Sequence, residues 1–374
     1  MSDSSLRTQP SQPARGRARP VAPAPGRALA AEERRPGLRL LGVLAGALGV
    51  AFVLLAAVCL LPENGYQRWQ LQTLMDDRLR WIYERIHFDP KPIDIAIIGP
   101  SRVQLGFSAA AIEDKLAQNG ERANVVNLAF PGAGRDIQWA IVRELFKTKS
   151  PKAIVLEVEA KPYPFGSFAF KYVAPAQAIV FPPTPFLHDY LYNLAYLPIR
   201  KLTLFGAGLF PDLFGLPKEF DPQRYAQSRT DYSTSFIGDT GKLVDMGRAV
   251  PRATLLAEAQ TTDHDTFFGR LLTRINGGED HIYMRKIAAE AKAHGTRVIF
   301  VYLPVFNGAE TISDLDFLKQ FGPVLNYGDL AQRDELFENW SHLNHAGAMT
   351  ASGRLADALL GSDLFDPDQQ ARTK

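Results

Sequence analysis

The sequence predicts an α/β protein built on a parallel sheet and carried by one N-terminal membrane-spanning helix. From Ile93 onward, short apolar runs alternate with helix-period segments, the pattern of strands joined by crossover helices. Leu40–Leu61 is a 22-residue run without a charge. Turns rich in small residues, Gly99-Pro100-Ser101-Arg102 and Pro131-Gly132-Ala133-Gly134, follow the first two strand-like runs, where the ligand site of an open parallel sheet belongs.

Residues 1–36 are rich in Pro, Ala, Arg and Ser and poor in aromatics. They lack the apolar surface that would repay ordering, so they read as a disordered tail. The anchor covers 37–62, and at about 1.5 Å per residue its apolar run crosses a ~30 Å hydrocarbon core. Arg7, Arg15, Arg17, Arg19, Arg27, Arg34, Arg35 and Arg39 precede it against Asp3, Glu32 and Glu33. That imbalance places the N-terminus in the cytoplasm and everything after Pro62 outside the inner membrane. The run is too long for a cleaved signal peptide and no small-x-small site follows it. Cys59, preceded by Val58, makes a poor lipoprotein site, and as the single cysteine it excludes an intrachain disulfide. The formal charge is +2; with the arginines concentrated in the tail, the remainder is slightly acidic and carries no nucleic-acid footprint.

Residues 63–89 are expected to hold a juxtamembrane helix, with Leu71, Leu74, Met75, Leu79, Ile82 and Ile86 at helical spacing over 66–86. Trp69 and Trp81 suit either the membrane interface or a core. The α/β domain spans 90–365. Its expected strands are Ile93–Ile98, Asn124–Phe130, Ala153–Val158, Arg297–Leu303 and a short Val324–Tyr327. Its expected helices are Ser108–Gln118 with Ser108 as cap, Asp136–Lys147, and Asp280–His294 closed by Gly295. An insertion, 161–278, is too long for a loop and rich in Pro and aromatics. It either roofs the site, rests against a membrane or partner, or packs as a subdomain on the sheet. Residues 366–374 form a C-terminal tail.

A serine hydroxyl needs a base to take its proton and fixed donors for the oxyanion it creates. Ser101 is the candidate nucleophile. His342, in Asn339-Trp340-Ser341-His342-Leu343-Asn344-His345, is the candidate base. The Ser101 N–H, Gly132 and Gly134 are candidate oxyanion donors, because missing side chains permit close backbone approach. Each has a plain structural alternative as a cap, a turn or a loop residue.

In this combination and order these blocks resemble the SGNH hydrolase superfamily, over roughly residues 90–160 and 280–360. The resemblance implies a flavodoxin-like three-layer sandwich, with Ser101 as nucleophile and acyl carrier, His342 as general base and then acid, and Gly132 in the oxyanion hole. More narrowly, GPSR and SHLNHAGA resemble membrane-anchored extracytoplasmic SGNH-like proteins that work beside membrane-bound O-acyltransferases on cell-surface or secreted polysaccharide. This implies a polysaccharide and an acyl donor as partners, and no cofactor or metal. A non-catalytic assembly subunit and a stand-alone esterase are the alternative functions.

Two residues depart from the family pattern. The Asp expected three residues before the histidine is Asn339, and no oxyanion asparagine appears in LEVEAKPYP after the third strand. An asparagine orients an imidazole without stabilising its cation, and the equivalent Asp-to-Asn change in serine proteases costs about 10⁴ in turnover. Glu338, Asp334 or an insertion residue are candidate substitutes. His345, three residues after His342, suggests a metal pair on a helical face, but no Cys or carboxylate set accompanies it. Glu157 and Glu159 share one strand face and read as ion-pair residues rather than as a glycosidase pair.

Overall fold

The computed structural model describes residues 34–71, 77–183, 189–226, 231–237, 242–248, 250–261 and 267–366. The tail through residue 33, Leu74, Met75 and the residues after 366 lie outside these ranges. The chain divides into two compact units, Met1–Ala57 and Val58–Lys374. Helix α1 (Arg34–Cys59) makes up the described part of the first unit and runs two residues into the second. Its Arg39–Cys59 stretch is long and apolar enough to cross a membrane, and none of it is buried.

The second unit opens with α2 (Gly65–Trp69) and α3 (Arg78–His87), where one helix over 66–86 was expected. Asp77 adopts a left-handed conformation, φ 34°, which a continuous right-handed helix cannot contain. The side chains of Gln67 and Gln70 donate to the carbonyls of Ala207, Leu216 and Pro217. Trp69 and Trp81 are buried in the core.

There follow β1 (Ile95–Ile98), α4 (Ser101–Gly106), α5 (Ala109–Gln118), β2 (Val125–Asn127), α6 (Arg135–Leu145) and β3 (Ala153–Glu157). After β3 come α7 (Phe170–Val173), α8 (Ala176–Val180), α9 (Tyr190–Leu209), α10 (Pro211–Phe214), α11 (Pro222–Ala226), the antiparallel pair β4 (Ser235–Ile237) and β5 (Leu243–Asp245), and α12 (Arg252–Thr261). The long α13 (Phe267–Ala293) begins well before the expected Asp280, and Gly295 closes it with φ +67°. Then come β6 (Arg297–Tyr302), α14 (Leu315–Leu318), β7 (Val324–Asn326), the hairpin β8 (Phe337–Asn339) and β9 (His342–Leu343), and α15 (His345–Leu360).

The central sheet is parallel throughout, in the order β2-β1-β3-β6-β7. Alternate residues of each strand face opposite sides. Ala96 and Ile98 join an apolar cluster with Ile141, Leu145, Tyr283 and Ile287, and Ile95 and Ile97 join another with Ile112, Leu116, Leu355 and Leu359. Helices therefore cover both faces, as a parallel sheet requires. The long segment after β3 is not a free-standing roof: Phe170, Val173, Ile179 and Leu197 enter the first cluster and Leu255 the second. The order in which successive strands are added reverses between β1 and β3, which places the crevice for a ligand beyond their carboxyl ends.

Candidate active site

The turn after β1 is built by close approach. A side chain on Gly99 would put its Cβ 2.5 Å from Val103 Cγ2 and 2.8 Å from Glu157 Cβ. Pro100, extended at φ −80°, caps α4, and its carbonyl accepts from Val103 and Gln104. Ser101 is thus the first helical residue, and its N–H belongs to the first-turn amides that a helix leaves without internal partners.

Asn127 braces this turn from β2. Its Nδ2 donates to the carbonyls of Val103 (2.9 Å) and Phe107 (3.1 Å), while its Oδ1 accepts from Ala129 N–H. Arg78 of α3 is buried and donates to the carbonyls of Ala129 (3.0 Å) and Asn127 (2.6 Å). The same loop continues to Gly132, at φ +100°, a region that favours glycine.

The candidate base, His342, lies on the β8–β9 hairpin. Pairing sets Asn339 opposite His342 across the tight Trp340-Ser341 turn. Asn339 Oδ1 accepts from the backbone N–H groups of Ser341 and His342, both at 3.0 Å. This atom is therefore the amide oxygen, and the tautomer assigned to His342 is the one whose Nδ1, 3.0 Å away, directs its proton toward it. In that tautomer Nε2, 2.8 Å from Ser101 Oγ, is the acceptor of the serine hydroxyl. Ser341 Oγ lies beside the same pair, 3.0 Å from Nδ1 and 3.1 Å from Asn339 Oδ1.

Neither Glu338 nor Asp334 substitutes for the missing aspartate. Asp334 pairs with Arg252 at 3.5 Å, and the two Nδ1 neighbours are amide and hydroxyl oxygens. Burial, and then the Arg102 guanidinium, push the His342 imidazole down to about 4. Arg102 in turn is held between Glu157 (3.1 Å) and Glu159. Burial and Glu159 raise Glu157 while Arg102 opposes them. The two glutamates therefore serve an ion-pair network beside the serine.

A cleft of about 330 Å³ opens over Ser101 and His342, lined also by Arg102, Gly132, Ala133, Glu159, Lys161, Tyr163, Trp340 and Ser341. Gly134 does not line it. The space beside Gly134 is filled by Ser167 N at 2.4 Å and Asp136 Oδ1 at 2.6 Å from a Cβ placed there, so that glycine admits a neighbouring chain segment. A larger hollow of about 820 Å³ lies at the other end of the sheet, near Thr296, Gly322 and Asp363, and is lined by neither Ser101 nor His342. His345 does not share a helical face with His342. Asn344 caps α15 by accepting from Gly347 N–H, so the helix begins at His345, whose Nδ1 faces the Ser233 carbonyl at 3.2 Å.

Sequence reasoning missed Arg102, Lys161, Tyr163, Trp340 and Ser341 as cleft residues, and Asn127 and Arg78 as braces. Adjacency to Ser101 and His342 was the available signal for Arg102 and Ser341. No protein-family model matches this chain, and no curated protein sequence matches it.

Proposed function

We propose that this chain is an SGNH-type, serine-dependent acyl-transfer enzyme of the extracytoplasmic face, an O-acyltransferase or esterase acting on cell-surface or exported polysaccharide. The observation that carries this reading is the chain of contacts from Ser101 Oγ through His342 Nε2 and Nδ1 to Asn339 Oδ1, at the carboxyl edge of a parallel sheet. The 2-1-3-4-5 strand order, with helices on both faces, supports the flavodoxin-like sandwich of that superfamily.

In this mechanism Ser101 Oγ bonds to the acyl carbon of an ester as its proton passes to His342 Nε2. The oxyanion is met by the N–H groups of Ser101 and Gly132. The intermediate collapses, the leaving alkoxide takes the proton back from Nε2, and the acyl group stays on Ser101. A sugar hydroxyl, or water in the esterase, gives its proton to Nε2, attacks the acyl-serine and releases Ser101. The acyl donor is supplied by a membrane-bound O-acyltransferase partner in the transferase version, with α1 holding the domain beside it, the N-terminus cytoplasmic and the domain periplasmic.

A second reading, a binding or assembly subunit of the same machinery, is favoured by Asn339 and by the weak basicity of His342. A fluorophosphonate probe distinguishes the two. Covalent labelling of the full-length protein, lost in Ser101→Ala, is expected of the enzyme; absence of labelling at Ser101 leaves the binding subunit. Polysaccharide acetyl content in a Ser101→Ala strain then separates the transferase, which needs Ser101 for it, from a stand-alone esterase.

A further inference from the structure

Helix α9 is amphipathic in the reverse sense of a soluble surface helix. Its only charged residues, Arg200 and Lys201, are buried. Asn193, Leu197, Leu204 and Ala207 share that inward face. The opposite stripe carries Leu191, Ile199, Leu202, Phe205 and Leu209, with Leu191 75% and Leu209 59% exposed, and no charge. The short α10 adds Leu213, 81% exposed, beside the exposed Asp212. Contiguous exposed apolar surface on this scale marks an interaction site.

The inward charges show where this face lies. Lys201 Nζ donates to the Leu61 carbonyl at 2.9 Å. Glu63 faces Arg200 and Lys201, both at 3.4 Å. Leu61 is the last residue of the uncharged run that opens at Leu40. The middle of α9 is therefore fastened to the point where the chain leaves that run, and the helix axis lies within roughly one helix diameter, ~10 Å, of it. Buried charges and domain packing prevent α9 from spanning a bilayer, but an uncharged apolar face held at that level matches a helix lying in the interface plane.

We infer that the exposed face of α9 and α10 rests in the lipid headgroup–acyl boundary, so that the domain is seated on the bilayer surface and not merely tethered to it. The inference rests on α1 spanning the membrane and is independent of the chemistry at Ser101.

The test uses the full-length protein in phosphatidylcholine–phosphatidylglycerol vesicles, in a Cys59→Ala background. An environment-sensitive fluorophore is placed on Leu202→Cys or Leu213→Cys, with Val50→Cys in α1 and Gln118→Cys at the end of α5 as references. All four positions are exposed, so labelling removes no packing. Labels at 202 and 213 are expected to shift to the blue and to be quenched by spin-labelled lipid several-fold more than the label at 118. If 202 and 213 behave like 118 while 50 is quenched, the span holds and the bilayer seat is overturned. If 50 is also unquenched, the anchor fails and the inference falls with it. Protection at 202 and 213 that depends on protein concentration and not on quencher lipid identifies a second copy as the occupant, and also overturns it.

Discussion

His342 has an amide oxygen on one side and a serine hydroxyl on the other, an unusual setting for the base that the proposed mechanism requires. The hydrogen bond to Asn339 selects the productive tautomer, but no anion offsets the burial and the Arg102 charge that hold the imidazole near 4. Replacing Asn339 by Asp supplies that anion while preserving the oxygen that accepts from Ser341 and His342. Ester turnover by Asn339→Asp is expected to rise at least about tenfold, within the ~10⁴ seen for this position in serine proteases. The gain should disappear when Ser101→Ala is added; an unchanged rate rejects the weakened-triad reading. The pH profile follows from the same residue. Activity of the native protein should be level above pH 6 and fall only as pH approaches 4, and Asn339→Asp should move that limb upward. Because the folded state holds His342 below its ordinary value of 6.5, its contribution to stability is present above that value and is lost as pH falls toward 4.

At the scale of elements, the turn that carries Ser101 depends on a strand it does not belong to. Asn127 of β2 supplies donors to the Val103 and Phe107 carbonyls at the end of α4, and those carbonyls are buried. Asn127→Ala leaves them without that donor, at a cost of about 1–3 kcal/mol, and loosens the turn that aims Ser101. Denaturant unfolding should show the loss, and fluorophosphonate labelling of the folded fraction should slow. Unaltered stability removes Asn127 from the brace. The elements themselves were largely legible. Ser108 caps α5 and Gly295 closes α13 as their residue types predict, and the five strands of the central sheet fall within the apolar runs, trimmed at their ends, while β4, β5, β8 and β9 were not foreseen. The break between α2 and α3 was not legible, because the apolar spacing continues through Asp77 while its backbone does not.

For the molecule as a whole, the segment after β3 is docked through a crowded set of acids. Gly166 lets Asp136 Oδ2, Asp189 Oδ2 and Glu279 Oε1 converge, at 2.8, 3.3 and 3.3 Å from the Cβ it lacks. Burial and then Asp136 push Glu279 up to about 8, and burial is the main cause that raises Asp136 to about 7. Both acids favour the neutral form in the folded state, so stability is greatest below their unfolded values near 4 and declines as pH rises toward 8. Glu279→Gln keeps the shape without the charge. Its melting temperature should exceed that of the native protein at pH 8.5 and differ little at pH 5, and an equal effect at both values rejects the account in which burial favours the neutral Glu279 carboxyl.

Sequence alone determined what local chemistry dictates. It marked the apolar span by its missing charges, the parallel sheet by alternation of strand and helix signals, Ser101 by its turn after the first apolar run, and His342 by its place ahead of the final helix, with Asn339 three residues before it. Tertiary structure decided what depends on residues far apart in the chain. Ser101 and His342 meet across 241 positions because β1 and the β8–β9 hairpin end at the same sheet edge. Arg102 finds Glu157 and Glu159 because β3 lies beside β1. Helix α9 turns its charges inward because Glu63 and the Leu61 carbonyl are there to receive them. Periodicity registers that a helix has two faces; only the partners on each side decide which one is buried.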